Sequence, residues 1–297
     1  MAQPRTELPH PAHSRLDEYE TRKLVEACID DQAGAADAVR AAAAQIAEAV
    51  TAAVPRLEAG GRIIYVGAGT SGRLGLLDSV ELPPTFSWPP ERAVALLAGG
   101  PIAIHRAVEG AEDDREQGAL DLRAIGVTAN DVVMLLAASG STPFVLGALE
   151  GARAAGALTI GIANNPETPL LQAAAHPVLL VTGAEIIAGS TRMKAGTAQK
   201  IALNLFSTAL MLRLGGVYEG RLVDMQVVNA KLQTRAIGMI RDIADVNEAD
   251  AAAALCHADG KIKLAVLIAL GWDAERGAAA LSAAGGDLRA ALAGTKT

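Results

Sequence analysis

Apolar residues recur at helical spacing from Leu16 to Asp31 and again from Ala35 to Leu57, which predicts two helices each with one buried face. Ahead of them, residues 1 to about 15 are polar and broken by Pro4, Pro9 and Pro11, a pattern that predicts an extended arm. At Gly60 the pattern changes. Short apolar, β-prone runs at Arg62–Gly67, Ala93–Ala98, Asp131–Ala137, Leu158–Ala163 and Pro177–Thr182 alternate with helical segments over Ser71–Val80, Asp113–Ile125, Pro143–Ala155 and Leu170–Ala175. Each run is apolar at successive positions, as a parallel strand covered by helices on both faces must be. The expected fold class is α/β: a three-layer αβα sandwich around a mostly parallel five-stranded sheet, with a site at the strands' carboxyl ends.

Two longer helical patterns follow, Thr191–Leu214 and Arg221–Ala244. A helix-start signal at Asp245-Val-Asn-Glu248 opens a region of three or four short helices punctuated by Gly260, Gly271 and Gly285-Gly286. The expected organisation is therefore an arm and packing helices over 1–59, a sheet domain over 60–244 and a small helical bundle over 245–297.

Composition narrows the function. The apolar fraction is 51% with only 3% aromatics, and the tracts Ala41–Ala44 and Ala251–Ala254 point to closely packed helices. No apolar run reaches the roughly 18 residues of a membrane span, and the start lacks the charged-then-apolar layout of a signal peptide, so a cytoplasmic protein is expected. A formal charge of -7 argues against a nucleic-acid partner, and any anionic substrate must be held by local groups. Cys28 and Cys256 fit free thiols, and the five histidines form no metal-ligand spacing, so no metal is expected.

The first strand runs into Gly67-Ala-Gly-Thr-Ser-Gly72, where glycines permit a tight turn and the start of a helix offers unpaired amides beside the hydroxyls of Thr70 and Ser71. The spacing Gly67-x-Gly69-x-x-Gly72 also matches a dinucleotide fingerprint. That reading needs an acid at the tip of the next strand, and Ala93–Ala98 runs instead into Gly99-Gly100; a sugar-phosphate reading ranks above it. The third strand ends in Ala138-Ser139-Gly140-Ser141-Thr142-Pro143, a second hydroxyl-rich loop before a helix that starts at proline. Taken alone, either loop is an ordinary helix cap; two at strand ends favour a phosphate site. Two acidic segments lie close by. Glu81, ahead of Pro83-Pro84, reads either as a solvated residue at a helix end or as a catalytic acid. The acids of Val108-Glu-Gly-Ala-Glu-Asp-Asp114 read either as complements to a helix N-terminus or as a general acid or base.

These segments, in this order, resemble the N-acetylmuramic acid 6-phosphate etherases, which are built on the sugar isomerase (SIS) domain. The resemblance is carried by Gly61-Arg-Ile-Ile-Tyr-Val-Gly-Ala-Gly-Thr-Ser-Gly-Arg-Leu-Gly75, Glu81-x-Pro-Pro-Thr85, Ala107-Val-Glu-Gly-Ala-Glu-Asp113, Ala138-Ser-Gly-x-Thr-Pro143 and Gly189-Ser-x-Arg-Met-Lys-Ala-Gly-Thr-Ala-Gln-Lys200. The glucokinase regulatory protein shares the domain, but it is a much longer two-lobed chain. The resemblance departs from the usual pattern at Leu82, where cysteine is common, and at Ser141, where arginine is common. The N-terminal arm begins like the family with Thr6-Glu7, but His10 and His13 stand where asparagine and serine are usual.

What the resemblance implies is cleavage of the D-lactyl ether of N-acetylmuramic acid 6-phosphate during cell-wall recycling, giving N-acetylglucosamine 6-phosphate and D-lactate. It carries the proton donor onto Glu81 and the second catalytic acid onto Glu112 rather than Glu109. It also implies a homodimer without cofactor or metal, and a UBA-like C-terminal bundle. Gly69, Thr70, Ser71, Ser139, Gly140, Ser141 and Thr142 are expected to bind the phosphorylated amino sugar. Two rivals share the phosphate loops: a sugar-phosphate isomerase, and a regulatory protein that senses a sugar phosphate without turning it over.

Overall fold

The computed structural model describes residues 3–294. Two compact units emerge, one comprising the chain up to Val80 together with Pro90–Ser207, the other Glu81–Pro89 together with the chain from Thr208 onward. The first holds α1 (Thr21–Ala41), α2 (Ala43–Glu58), β1 (Ile63–Gly67), most of α3 (Gly69–Phe86), β2 (Ala93–Leu97) and a short α4 (Ile102–His105). It continues with α5 (Arg115–Ala124), β3 (Val132–Leu136), α6 (Pro143–Ala154), β4 (Leu158–Ala163), α7 (Pro169–Ala173), β5 (His176–Leu179) and the greater part of α8 (Lys194–Arg213).

The five strands form one sheet in the order β2-β1-β3-β4-β5, every pair parallel, as the apolar runs predict. Backbone alternation sends Ile64, Val66, Val133 and Leu135 to the face where Leu122 of α5 and Phe144, Val145 and Leu149 of α6 bury themselves. On β1 the intervening Ile63 and Tyr65 are equally buried. The Tyr65 hydroxyl donates to Asp78 of α3 at 2.7 Å, and the Ser207 hydroxyl donates to the other Asp78 oxygen at 3.1 Å, so one buried carboxylate ties β1, α3 and α8 together. Glu185, fully buried, accepts from the amides of Lys194 and Ala195 at 2.9 and 2.8 Å and caps α8. Burial pushes its carboxyl above the ordinary range despite those two amides.

The second unit contains a two-stranded hairpin, β6 (Val217–Tyr218) and β7 (Arg221–Leu222), followed by α9 (Ala230–Ala244), α10 (Glu248–His257), α11 (Ile262–Ala269), α12 (Ala274–Ala283) and α13 (Leu288–Ala293). Its core joins Ala236, Met239 and Ile240 of α9 to Leu255, Ile262, Val266 and Leu288. Asn247 caps α10 by accepting from the Asp250 amide, at the start signal read from the sequence.

Four local expectations are corrected. The helix expected over Arg221–Ala244 begins only at Ala230, because Glu219 and Gly220 adopt φ of 47° and 73° and close a hairpin, while Asn229 caps α9 through the Leu232 amide. The first two helices part at Ala42 rather than near Gly34, since Ala35, Ala38 and Val39 are all buried and keep α1 continuous. α3 passes through Pro83 and Pro84 to Phe86: proline's fixed φ suits a helix, and these two withhold hydrogen bonds only from the carbonyls of Ser79 and Val80. The arm is not wholly extended but forms a 3-10 turn at Arg5–Glu7, and a second such turn at Leu16–Glu18 stands where the first helix was expected to begin, ahead of α1. Within it His10 stacks on His13 with ring centroids 4.8 Å apart and lies 3.5 Å from Asp31.

Candidate active site

The sheet order places a topological switch between β1 and β3: from β1 the chain proceeds outward to β2, and from β3 in the opposite direction to β4 and β5. The loops that leave the carboxyl ends of β1 and β3 therefore diverge and open a crevice between them. A cavity of about 370 Å³ occupies this position, lined from both loops by Gly69, Thr70, Ser71, Ser139, Ser141 and Thr142. The two hydroxyl-rich segments singled out in the sequence thus form one wall system.

The first loop is set by two glycines. A Cβ at Gly67 would sit 2.7 Å from Cα of Gly72, and one at Gly72 would sit 2.6 Å from the Gly67 carbonyl oxygen, so the strand end and the first turn of α3 press backbone on backbone. Gly69 opens the helix at φ 52°, and Ser71 is 9% exposed. The start of α3 presents amides that have no partner within the helix, together with the positive end of its dipole.

The second loop turns at Gly140, with φ 69° and its amide donating to Ala137 at 2.9 Å. A Cβ there would lie 2.5 Å from Cβ of Thr168, and the Gly140 carbonyl accepts from Leu170, so α7 backs the turn. Gly140 thus shapes the loop without itself lining the cavity. Thr142 stands at the N-cap of α6 but makes no side-chain cap bond; its hydroxyl pairs with Ser139 at 3.4 Å, and Ser139 accepts from the Ser141 amide at 3.2 Å. The hydroxyls are pooled with one another rather than spent on capping the helix.

The acidic segment divides its work. Asp114 caps α5 by accepting from the Gln117 amide at 2.9 Å, so the helix-complementing role belongs to that residue. Glu112 and Asp113, in the 3-10 turn Ala111–Asp113 after Gly110 at φ 72°, line the cavity instead, whereas Glu109 is exposed and does not. Two further glycines, unremarked in the sequence reading, bring this turn to the site. A Cβ at Gly118 would lie 2.9 Å from the Phe144 carbonyl carbon, and one at Gly147 would lie 2.8 Å from that of Arg115. Their absence lets α5 press directly on α6, the helix that begins at the Ser139–Thr142 loop. The sequence signal was available as small residues on two facing helices; only the fold shows that they face.

Glu81 is exposed in the C-terminal part of α3, in the segment Glu81–Pro89 of the second unit, and is not among the residues that line the cavity. Sequence reading missed Glu7 and Thr191, which do line it. No lysine, arginine or histidine is among the lining residues. A phosphate held here relies on hydroxyls, helix-terminal amides and dipoles.

Comparison with known proteins fits this geometry. The glucokinase regulatory protein N-terminal SIS domain matches residues 45–153, and the SIS domain matches residues 109–209. The N-acetylmuramic acid 6-phosphate etherase of Deinococcus radiodurans is 55% identical over 97% of this chain and 95% of its own length. This chain belongs to the N-acetylmuramic acid 6-phosphate etherase family. The etherases of Mycolicibacterium smegmatis and Streptomyces avermitilis are 46% and 43% identical, covering 94% and 97% of this chain and 94% and 93% of their own. A protein of E. coli CFT073, solved as a ligand complex, superposes with a TM-score of 0.50 at 14% identity, over 68% of this chain and 97% of that one, which supports the fold. Like its family, the chain is an enzyme that cleaves a carbon–oxygen ether bond. Among the described residues, no helix is long and apolar enough to cross a membrane.

Proposed function

We propose that the chain converts N-acetylmuramic acid 6-phosphate and water to N-acetylglucosamine 6-phosphate and D-lactate, by elimination followed by hydration. The observation that carries this reading is the cavity between the β1 and β3 loops, where hydroxyls suited to a phosphate share one space with the Glu112 carboxylate. Its volume, about 370 Å³, falls in the range of small-ligand sites.

In the opened sugar the aldehyde at carbon 1 acidifies the hydrogen on carbon 2. Glu112 takes that proton, the electron pair forms the carbon 2–carbon 3 double bond conjugated to the aldehyde, and the lactate oxygen leaves carbon 3 with a proton from Glu81. Water then adds at carbon 3, its released proton replaces the one Glu81 gave up, and the proton held by Glu112 returns to carbon 2. Atoms balance and both carboxyl groups are restored with no redox step and no cofactor. Glu112 has the right surroundings for a base, since it shares the cavity with the substrate loops and has no capping duty. The role of Glu81 rests on the motif Glu81-x-Pro-Pro-Thr85. Family resemblance also supports a homodimer acting in the cytoplasm on a phosphorylated amino sugar.

The test is incubation with N-acetylmuramic acid 6-phosphate in oxygen-18 water, followed by assay of D-lactate and mass analysis of both products. The proposal expects label on the carbon-3 hydroxyl of the sugar and none on the lactate hydroxyl. Label in lactate would overturn the elimination route. Absence of lactate, with isomerised sugar phosphate instead, would favour an isomerase.

A further inference from the structure

The cavity contains a carboxylate from a segment far away in sequence. Glu7, on the N-terminal arm, lines it alongside Ser139, Thr191 and Glu112. The arm reaches this place through a buried polar clamp. Thr6 is fully buried; its hydroxyl accepts from the Asn165 side-chain amide at 3.0 Å, its backbone amide donates to the Asn165 oxygen at 3.3 Å, and its carbonyl accepts from the Gly189 amide at 2.8 Å. The same Asn165 amide group also donates to the Ala138 carbonyl at 2.9 Å, immediately before the Ser139–Thr142 loop. The clamp therefore fixes the arm to the very loop that carries the hydroxyls.

Gly189 makes the second half of the seat. At φ 75° it has no side chain, and a Cβ there would lie 2.7 Å from Oε2 of Glu7, so the Glu7 carboxylate occupies the space that any other residue would fill. Among the described residues, that carboxylate makes no hydrogen bond and no ion pair with the rest of the chain. A docking built from buried groups thus ends in an exposed carboxylate that faces the cavity without engaging another group of the chain.

We infer that Glu7 is a specificity-determining residue of this site, which accepts hydrogen bonds from the hydroxyl and amide donors of the sugar part of the substrate. Glu7 is exposed, so water satisfies its carboxylate in the free protein. Because an ionised carboxylate is acceptor-only and repels a phosphate, a bound phosphosugar that displaces this water must replace it with the ring's O–H and N–H groups. Thr6 and Asn165 are positioning residues. The inference rests on the phosphosugar reading of the cavity, but not on the elimination chemistry.

The experiment is direct titration of the full chain with N-acetylglucosamine 6-phosphate and, separately, with inorganic phosphate, alongside steady-state kinetics on N-acetylmuramic acid 6-phosphate. A hydrogen bond to a charged group corresponds to about a 10- to 100-fold change in affinity. Glu7→Ala is expected to weaken the sugar phosphate by that factor and to raise KM similarly, while inorganic phosphate, relieved of a like charge, binds at least as tightly as in wild type and the melting temperature stays near wild type. Glu7→Gln, which keeps the shape and one acceptor oxygen, is expected to fall between. Thr6→Val, which removes only the clamp hydroxyl, should reproduce part of the selective loss, and the double variant with Glu7→Ala should lose no more than Glu7→Ala alone. Sugar-phosphate affinity within twofold of wild type in Glu7→Ala, or an equal loss for both ligands, overturns the inference. If wild type binds the sugar phosphate but releases no lactate, the etherase reading fails while this titration still decides the role of Glu7.

Discussion

Asp131 allows the sheet's stability to be separated from its chemistry. It sits at the amino ends of the strands, 1% exposed, and its carboxylate accepts from the Arg62 backbone amide at 2.8 Å, from Arg62 Nε and Nη2 at 3.1 and 2.7 Å, and from the Thr128 amide at 2.7 Å. Asp131→Asn keeps the shape but sets an NH2 group where one oxygen stood. In either amide orientation at least two donors then face a donor. Breaking a buried ion pair costs about 3–5 kcal/mol. Arg62 keeps its bonds to the carbonyls of Ile125 and Gly126, both at 2.9 Å, so the lower end, about 3 kcal/mol, is expected. At about 2–4 °C per kcal/mol for a unit of this size, the melting temperature should fall by about 6–12 °C. The substitution lies a full strand, about 17 Å, from the β3 loop, so kcat/KM at 25 °C should stay within twofold. Both tryptophans, Trp88 and Trp272, belong to the second unit, so unfolding must be followed by far-ultraviolet circular dichroism rather than tryptophan emission. The pH dependence has a definite sign. Burial alone would raise the Asp131 carboxyl, but the Arg62 guanidinium and the Thr128 and Arg62 amides together hold it below the ordinary 3.8. Its stabilisation is present above pH 3.8 and is lost as pH falls through the depressed value. The gap between wild type and Asp131→Asn should therefore narrow below about pH 4. A loss under 1 kcal/mol, a gap unchanged from pH 7 to pH 3, or a matching fall in kcat/KM would refute the reasoning.

Glu112→Gln is expected to abolish D-lactate release while Glu109→Gln retains it, measured as kcat at saturating substrate; the reverse pattern would place the base outside the cavity. Ser139→Ala and Ser141→Ala should each raise KM by about 10- to 100-fold with a smaller effect on kcat, since each removes a hydroxyl facing a charged ligand; unchanged kinetics in both would detach the β3 loop from the phosphate. Gly72→Ala, whose methyl would meet the Gly67 carbonyl, should cost more than the roughly 1–3 kcal/mol of ordinary overpacking. A wild-type melting temperature in that variant would mean the turn has room that the glycine contact denies.

The sequence by itself determined the layered α/β class, because a run apolar at every position has no stable place except a strand covered on both faces, and five such runs alternate with helical patterns. It also determined both hydroxyl loops, since glycine, serine and threonine between a strand and a helix have local conformational reasons to be there. The order β2-β1-β3-β4-β5 was decided only by tertiary structure, and with it the fact that the first and third loops, rather than any other two, flank one crevice. The choice among the acids was tertiary too. Glu109, Glu112, Asp113 and Asp114 are alike in pattern, and it is the pressing of α5 on α6 through Gly118 and Gly147, with Asp114 taken by the cap, that sends Glu112 and Asp113 to the cavity. Glu7 belonged to the family-like start of the arm, but no local pattern placed it at the cavity. Its place depends on Asn165 and Gly189, each more than 150 residues away, and a pairing across that distance leaves no periodicity for a single sequence to reveal. Propensity and patterning act over a few turns of chain, whereas a site assembled from strand ends and a distant arm is fixed by packing alone.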